Sequence, residues 1–192
     1  MKRIRQGATC CLILFLFAGT MTAQEEGRTF EQRLIAFTNQ LRMALTLSTV
    51  AAHSPTLRDV QLHAQQLVNL LEGSGGRHYS PPAGSEEAVE GLMHAMSAWE
   101  DRFAQADIAP SLRTTLSASA RNVATYLAFA LDATLSGLQQ RRLDLAIRHM
   151  LQAYAFLLAA YEKPCDTSYV PALWTILRAF GLGMEAETAG TG

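Results

Sequence analysis

Residues 54–73 read SPTLRDVQLHAQQLVNLLEG, and this stretch decides the fold class. Its apolar residues, Leu57, Val60, Ala64, Leu67, Val68 and Leu71, recur every three or four positions. That is the period of an α-helix with one buried face, where a half-buried strand would alternate strictly. Ser54 offers a capping oxygen, and Pro55 suits a first helical position. Gly73 ends the run, because glycine readily takes the left-handed conformation that closes a helix. Then GSGGRHYSPPAGS, 73–85, supplies a Gly/Pro/Ser loop that cannot be helical.

The same pattern extends in both directions. Upstream, a helix from about Thr29 to Ala52 turns Phe30, Leu34, Phe37, Leu41, Leu45 and Leu47 inward. Downstream, Ser85 caps a third helix, with Glu86 and Glu87 in its first turn and Val89, Leu92, Met96, Trp99 and Phe103 as a narrow stripe. DIAP, 107–110, breaks it. A long fourth helix runs from Ser111 to about Leu138 and carries Ala118, Ala120, Ala124, Ala128, Ala130 and Ala133, small enough to let a neighbour approach. A fifth, about Arg141 to Glu162, is apolar around most of its circumference, the mark of a central helix. KPCDTSYVP, 163–171, leads to a short sixth helix, Ala172 to about Phe180. Val and Ile are few and alternating runs are absent, so the expected class is all-α, a bundle of about six helices.

The two ends bound the compartment. Lys2, Arg3 and Arg5 precede the apolar run ATCCLILFLFAG, 8–19, and Ala23 is a small residue at a plausible cleavage position. This three-part order is that of a secretory signal peptide over 1–23. The apolar run falls short of the about 20 residues that a bilayer span needs, so no stable span is expected after cleavage. The expected location is periplasmic or extracellular. A single domain over 24–183 follows, and 184–192 forms a C-terminal tail. Of the chain's 16 Lys and Arg, three leave with the peptide, so 13 face 17 acidic residues and the net charge is near −4. A nucleic-acid binder needs a basic footprint, and this chain is not expected to be one. One cysteine remains, Cys165, so no intrachain disulfide can staple the fold.

The chain also echoes itself at an offset of 86–90 residues. TLS at 46–48 meets TLS at 134–136; Arg33 meets Arg121 and Ala36 meets Ala124. His63, Gln66 and Leu71 meet His149, Gln152 and Leu157. Tyr79 and Pro81 meet Tyr169 and Pro171, and Gly-Leu at 91–92 meets Gly-Leu at 181–182. This predicts two three-helix units, about 29–105 and 112–183, around a pseudo-twofold four-helix core.

Two sets of residues invite a function. His63 and His149 lie at the edges of apolar stripes, and a twofold would bring them towards each other as ligands of a metal or haem. Asp59, one turn before His63, would orient its ring; Met43 and Met150 are further donors. Two histidines fall short of the usual three or four protein ligands, so no cofactor is expected and the metal or haem site stays the alternative reading. The second set is Arg77, His78 and Tyr79 in the 73–85 loop, residue types favoured at binding surfaces. Glu86, Glu90, His94 and Asp101 share a face opposite the buried stripe and read as a solvated surface. No Gly-x-Ser-x-Gly, His-Glu-x-x-His, Walker loop, Gly-x-Gly-x-x-Gly or Cys-x-x-Cys-His motif is present. The expected role is therefore binding or interaction with a protein or small-molecule partner, not catalysis.

Overall fold

A computed structural model describes residues 30–80, 90–161 and 172–182. They form six helices: α1 Phe30–Ala52, α2 Leu57–Glu72, α3 Leu92–Gln105, α4 Pro110–Leu138, α5 Leu143–Tyr161 and α6 Leu173–Ala179. Among the described residues there is no strand, only one isolated antiparallel bridge between Gly73 and Glu90. Residues 1–23, expected to be a signal peptide, lie outside the described residues, as do Ser85, Cys165, Tyr169 and 184–192. No described helix is long and apolar enough to cross a membrane.

α1, α2, α4 and α5 make a four-helix bundle. α1 packs on α2 and α5, α4 packs on α5 and α2, and the α4–α5 interface is the most extensive. Four-residue connections, 53–56 and 139–142, force each hairpin to be antiparallel. Near the start of α2, the Gln61 amide donates to the carbonyls of Leu138 and Gln140, at 3.1 and 3.3 Å. Both hairpin turns therefore lie at one end of the bundle. The other end is closed by α3 and α6 around an aromatic cluster. Phe30 lies 5.3 Å from Trp99 and 4.7 Å from Phe180, and Phe37 lies 4.9 Å from Trp99, between ring centroids.

Each core helix buries one stripe. In α2 the fully buried positions include Val60, Ala64, Leu67 and Leu71; in α5 they are Ala146, Met150, Ala153, Leu157 and Ala160. Gly137 lets α4 and α5 approach, since a Cβ there would lie 3.3 Å from His149 Cβ and 3.5 Å from Met150 Sδ. The hydroxyls of Thr38 and Thr134 are buried at no net hydrogen-bonding loss. Each donates to the carbonyl four residues back, Leu34 and Ala130, at 2.7 Å.

Several local expectations are corrected. The α2 cap is Thr56, not Ser54: the Thr56 hydroxyl accepts from the Asp59 amide at 3.2 Å and donates to the Asp59 carboxylate at 2.6 Å. Ser54 instead donates to the Val50 carbonyl, closing the end of α1, and Pro55 sits in the turn. α3 does not run through from Ser85. Glu90 is extended in its bridge with Gly73, and Gly91 is the residue before the first turn. In α1, Leu45 and Leu47 are only half-buried; Ala44, Ser48 and Ala51 continue the stripe. Nor is α5 encircled by protein. Its apolar composition leaves Leu151 49% exposed, and Phe156, only partly buried, also lies 5.3 Å from the half-exposed Phe129 between ring centroids.

Candidate functional site

Downstream of α2 the chain does not simply leave the bundle. It turns at Gly73, whose φ of 73° suits glycine, and folds back along α2 as far as Ser80. Three α2 side chains hold it there. The Glu72 carboxylate accepts from the His78 amide through Oε2 and pairs with His78 Nδ1 through Oε1, both at 2.7 Å. Asn69 donates to the Ser80 carbonyl at 2.7 Å and accepts from the Ser80 amide at 2.9 Å, as a neighbouring strand would. Gln65 donates to the His78 carbonyl at 2.9 Å and to Asn69 Oδ1 at 3.0 Å. Backbone bonds from Gly76 to the Gly73 carbonyl and from Tyr79 to the Gly76 carbonyl tighten the loop from within.

The glycines in this loop have separate reasons. A Cβ on Gly76 would fall 2.3 Å from Glu72 Cβ, so any larger residue displaces the clamping side chain. A Cβ on Gly91 would fall 2.2 Å from the Glu72 carbonyl oxygen, where α3 enters against the end of α2. The Glu72 side chain is 10% exposed and that of His78 40% exposed. The carboxylate is thus sunk under the loop while the imidazole edge bearing Nε2 meets solvent. Arg77 is exposed and Tyr79 half-buried. The site presents a guanidinium and an oriented imidazole on a fixed backbone, an arrangement suited to holding a partner's polar groups.

The three loop residues singled out from the sequence are therefore together. The residues that fix them, Gln65, Asn69 and Glu72, went unnoticed. Their signal was present: Gln61, Gln65, Asn69 and Glu72 fall at intervals of four, four and three, a polar stripe along one edge of α2 that ends beside a glycine-rich loop.

His63 and His149 are each half-buried, and each ring finds a local partner. Nδ1 of His63 lies 3.1 Å from Gln66 Oε1, and Nδ1 of His149 lies 3.1 Å from Gln152 Oε1. The Gln140 amide nitrogen faces Nε2 of His149 at 3.4 Å. Asp59 is engaged in the α2 cap. Met150 is buried and Met43 is exposed, on different helices. His63 follows Gln61 by two residues, about 200° around the helix. The edge of α2 that carries His63 thus turns away from the α4–α5 turn beside His149. Among the described residues, no group of three or more His, Cys, Asp or Glu side chains could hold a metal ion.

Compared with protein-family models, with curated proteins and with solved structures, the chain has no significant match.

Proposed function

We propose that the protein is exported to the periplasm or the extracellular medium and works there by binding a protein or small-molecule partner through loop 73–80, without catalysing a reaction. The observation that carries this reading is the five-contact clamp from Gln65, Asn69 and Glu72. A connector needs no such clamp. Ordering a loop before binding removes an entropic cost of about 0.5–1.5 kcal/mol for each side chain that would otherwise be immobilised on contact. Export is supported by the order of basic, apolar and small residues in 1–23.

The test is site-specific photo-cross-linking in the native host. A photoreactive residue replacing Arg77 should give a discrete adduct that weakens when Glu72→Gln unfastens the loop. The same probe at Thr125, exposed on α4, should give none. Equal labelling at both positions, or none at Arg77, overturns the reading.

The bundle itself we read as a duplication. A single offset of 86 residues carries α1, Phe30–Ala52, onto 116–138, ending where α4 ends, and carries the first residue of α2 onto the first of α5. It also carries the buried residues Phe30, Leu34, Phe37, Leu41, Ala44, Ser48 and Ala51 onto Leu116, Ala120, Val123, Leu127, Ala130, Thr134 and Gly137, all buried. The matched His–Gln pairs fit the same offset. The third helices do not follow it: Gly91 precedes α3 while Gly181 follows α6. The pseudo-twofold thus relates two helical hairpins, with α3 and α6 as unlike additions. The metal or haem alternative has less support, because Nε2 of His149 already faces Gln140.

A further inference from the structure

Of the four bundle helices, three carry exposed charges along their length: Arg58 on α2, Arg121 and Asp132 on α4, Asp144 and Arg148 on α5. α1 differs. Between Leu34 and Ala52 its one charged residue is Arg42. That side chain leans towards α5, where Nε donates to the Tyr161 hydroxyl at 3.0 Å and the guanidinium lies 5.6 Å from the ring centroid. Six large apolar side chains are exposed among the described residues, and three belong to α1: Ile35, Met43 and Val50, at 45, 58 and 43%. Leu62, Phe129 and Leu151 stand singly on α2, α4 and α5.

The three on α1 share one face. Ile35, Asn39, Met43, Thr46 and Val50 are all exposed and follow one another at intervals of four, four, three and four. That spacing traces a single stripe along a helix. It runs opposite the buried Leu34, Phe37, Leu41, Ala44, Ser48 and Ala51. A helix without a charged outer face is normally covered on that side as well.

The stripe also reads alike from either end. Ile35 and Val50 stand equally far from the midpoint between Arg42 and Met43, and so do Asn39 and Thr46. Turned end for end, the stripe sets apolar against apolar and amide against hydroxyl, with Met43 beside the centre. A twofold contact needs this self-complementarity, because wherever residue i meets j, j also meets i. A charge at the centre of the stripe would meet its own copy, and the stripe has none.

We infer that a second copy of the chain covers this stripe, with the two α1 helices packed antiparallel about a twofold axis beside Met43. Ile35 of one copy lies over Val50 of the other at each end, and the Asn39 amide meets the Thr46 hydroxyl between them. From Ile35 to Val50 the stripe is about 22 Å long and one helix wide, so the contact stands near the low end of specific interfaces and the dimer is weak. A bilayer fits less well. Helices that lie on one carry many Lys and Arg on their polar face, and here Arg42 stands alone. The stripe uses no residue of loop 73–80 and does not depend on it.

Sedimentation equilibrium of the purified protein tests this between about 1 and 200 µM, the range of weak specific contacts. The average mass should climb from one chain towards two. Salt at about 0.5 M should not reverse the rise, because no ion pair holds the contact. Met43→Glu sets two carboxylates beside the axis and should weaken association at least tenfold, with unchanged helical circular dichroism. Phe129→Glu, across the bundle on α4, should leave it within twofold. Asn39→Lys combined with Thr46→Glu reads the direction of packing. Antiparallel copies bring the new charges into opposite pairs, so this variant should associate at least as tightly as wild type at low salt; parallel copies would set like against like. A single-chain mass throughout, an equal loss in Phe129→Glu, or a weaker dimer in the charge-paired variant overturns the inference. So does capture of the wild-type protein on phosphatidylglycerol vesicles that Met43→Glu abolishes.

Discussion

An ideal Cβ on Gly91 would lie 2.2 Å from the Glu72 carbonyl oxygen and 2.6 Å from the Gly73 nitrogen. These are backbone atoms held by the bridge between Gly73 and Glu90, so they cannot step aside. Gly91→Ala should therefore cost about 3 kcal/mol, as overpacking does where nothing relaxes. Gly75 has open space around it, and Gly75→Ala should stay within about 0.5 kcal/mol. Chemical denaturation of the two variants side by side checks this pair. Asp144 gives a second residue-scale expectation. Its hydrogen bonds from Arg142 hold the carboxyl below its ordinary 3.8, although the group is exposed. A carboxyl lowered on folding stabilises the fold above its ordinary range, and this contribution disappears as pH falls through the folded value. A carbon-detected NMR titration should place Asp144 below 3.8, returning towards it in Arg142→Gln.

At the scale of the element, α2 is the helix whose sequence does the most. One edge buries Val60, Ala64, Leu67 and Leu71. The polar edge beside it holds the α4–α5 turn through Gln61 at one end and loop 73–80 through Gln65, Asn69 and Glu72 at the other. The buried stripe was legible because burial imposes a strict period on apolar residues. The polar stripe was overlooked because glutamine and asparagine on a helix usually face water; only the fold shows that the loop returns over them. The cap was misplaced by two residues, since Ser54 and Thr56 are equivalent by type. Asp59 could have separated them: only Thr56 has an acidic residue three positions on, which completes a reciprocal cap. Thr56→Ala should cost about 1 kcal/mol, read as a fall in thermal midpoint.

At the scale of the whole molecule, the six helices and most of the core were readable from periodicity. The sequence echo at 86–90 residues has a counterpart in burial at an offset of 86. Identities such as TLS suggested 88 residues in the first hairpin, which sets the buried Phe37 and Leu41 against the exposed Thr125 and Phe129. The buried positions of α1 match those of α4 at 86 instead. The bundle end built by α3 and α6 was the least legible. Phe30 and Phe37 come from α1, Trp99 and Phe103 from α3, and Phe180 from the end of α6, and no local pattern brings them together. Trp99→Ala should remove about 3–5 kcal/mol, with denaturant melts as the measure.

The most direct test is hydrogen exchange at two backbone amides, those of His78 and Ser80, which donate to Glu72 and Asn69. In the wild-type chain both should exchange far more slowly than an open loop. In the double variant Asn69→Ala, Glu72→Gln both should speed up, while amides in the middle of α4 keep their protection. Exchange of His78 and Ser80 at open-loop rates in the wild-type protein would contradict the clamp, and with it the case for loop 73–80 as a fixed binding element.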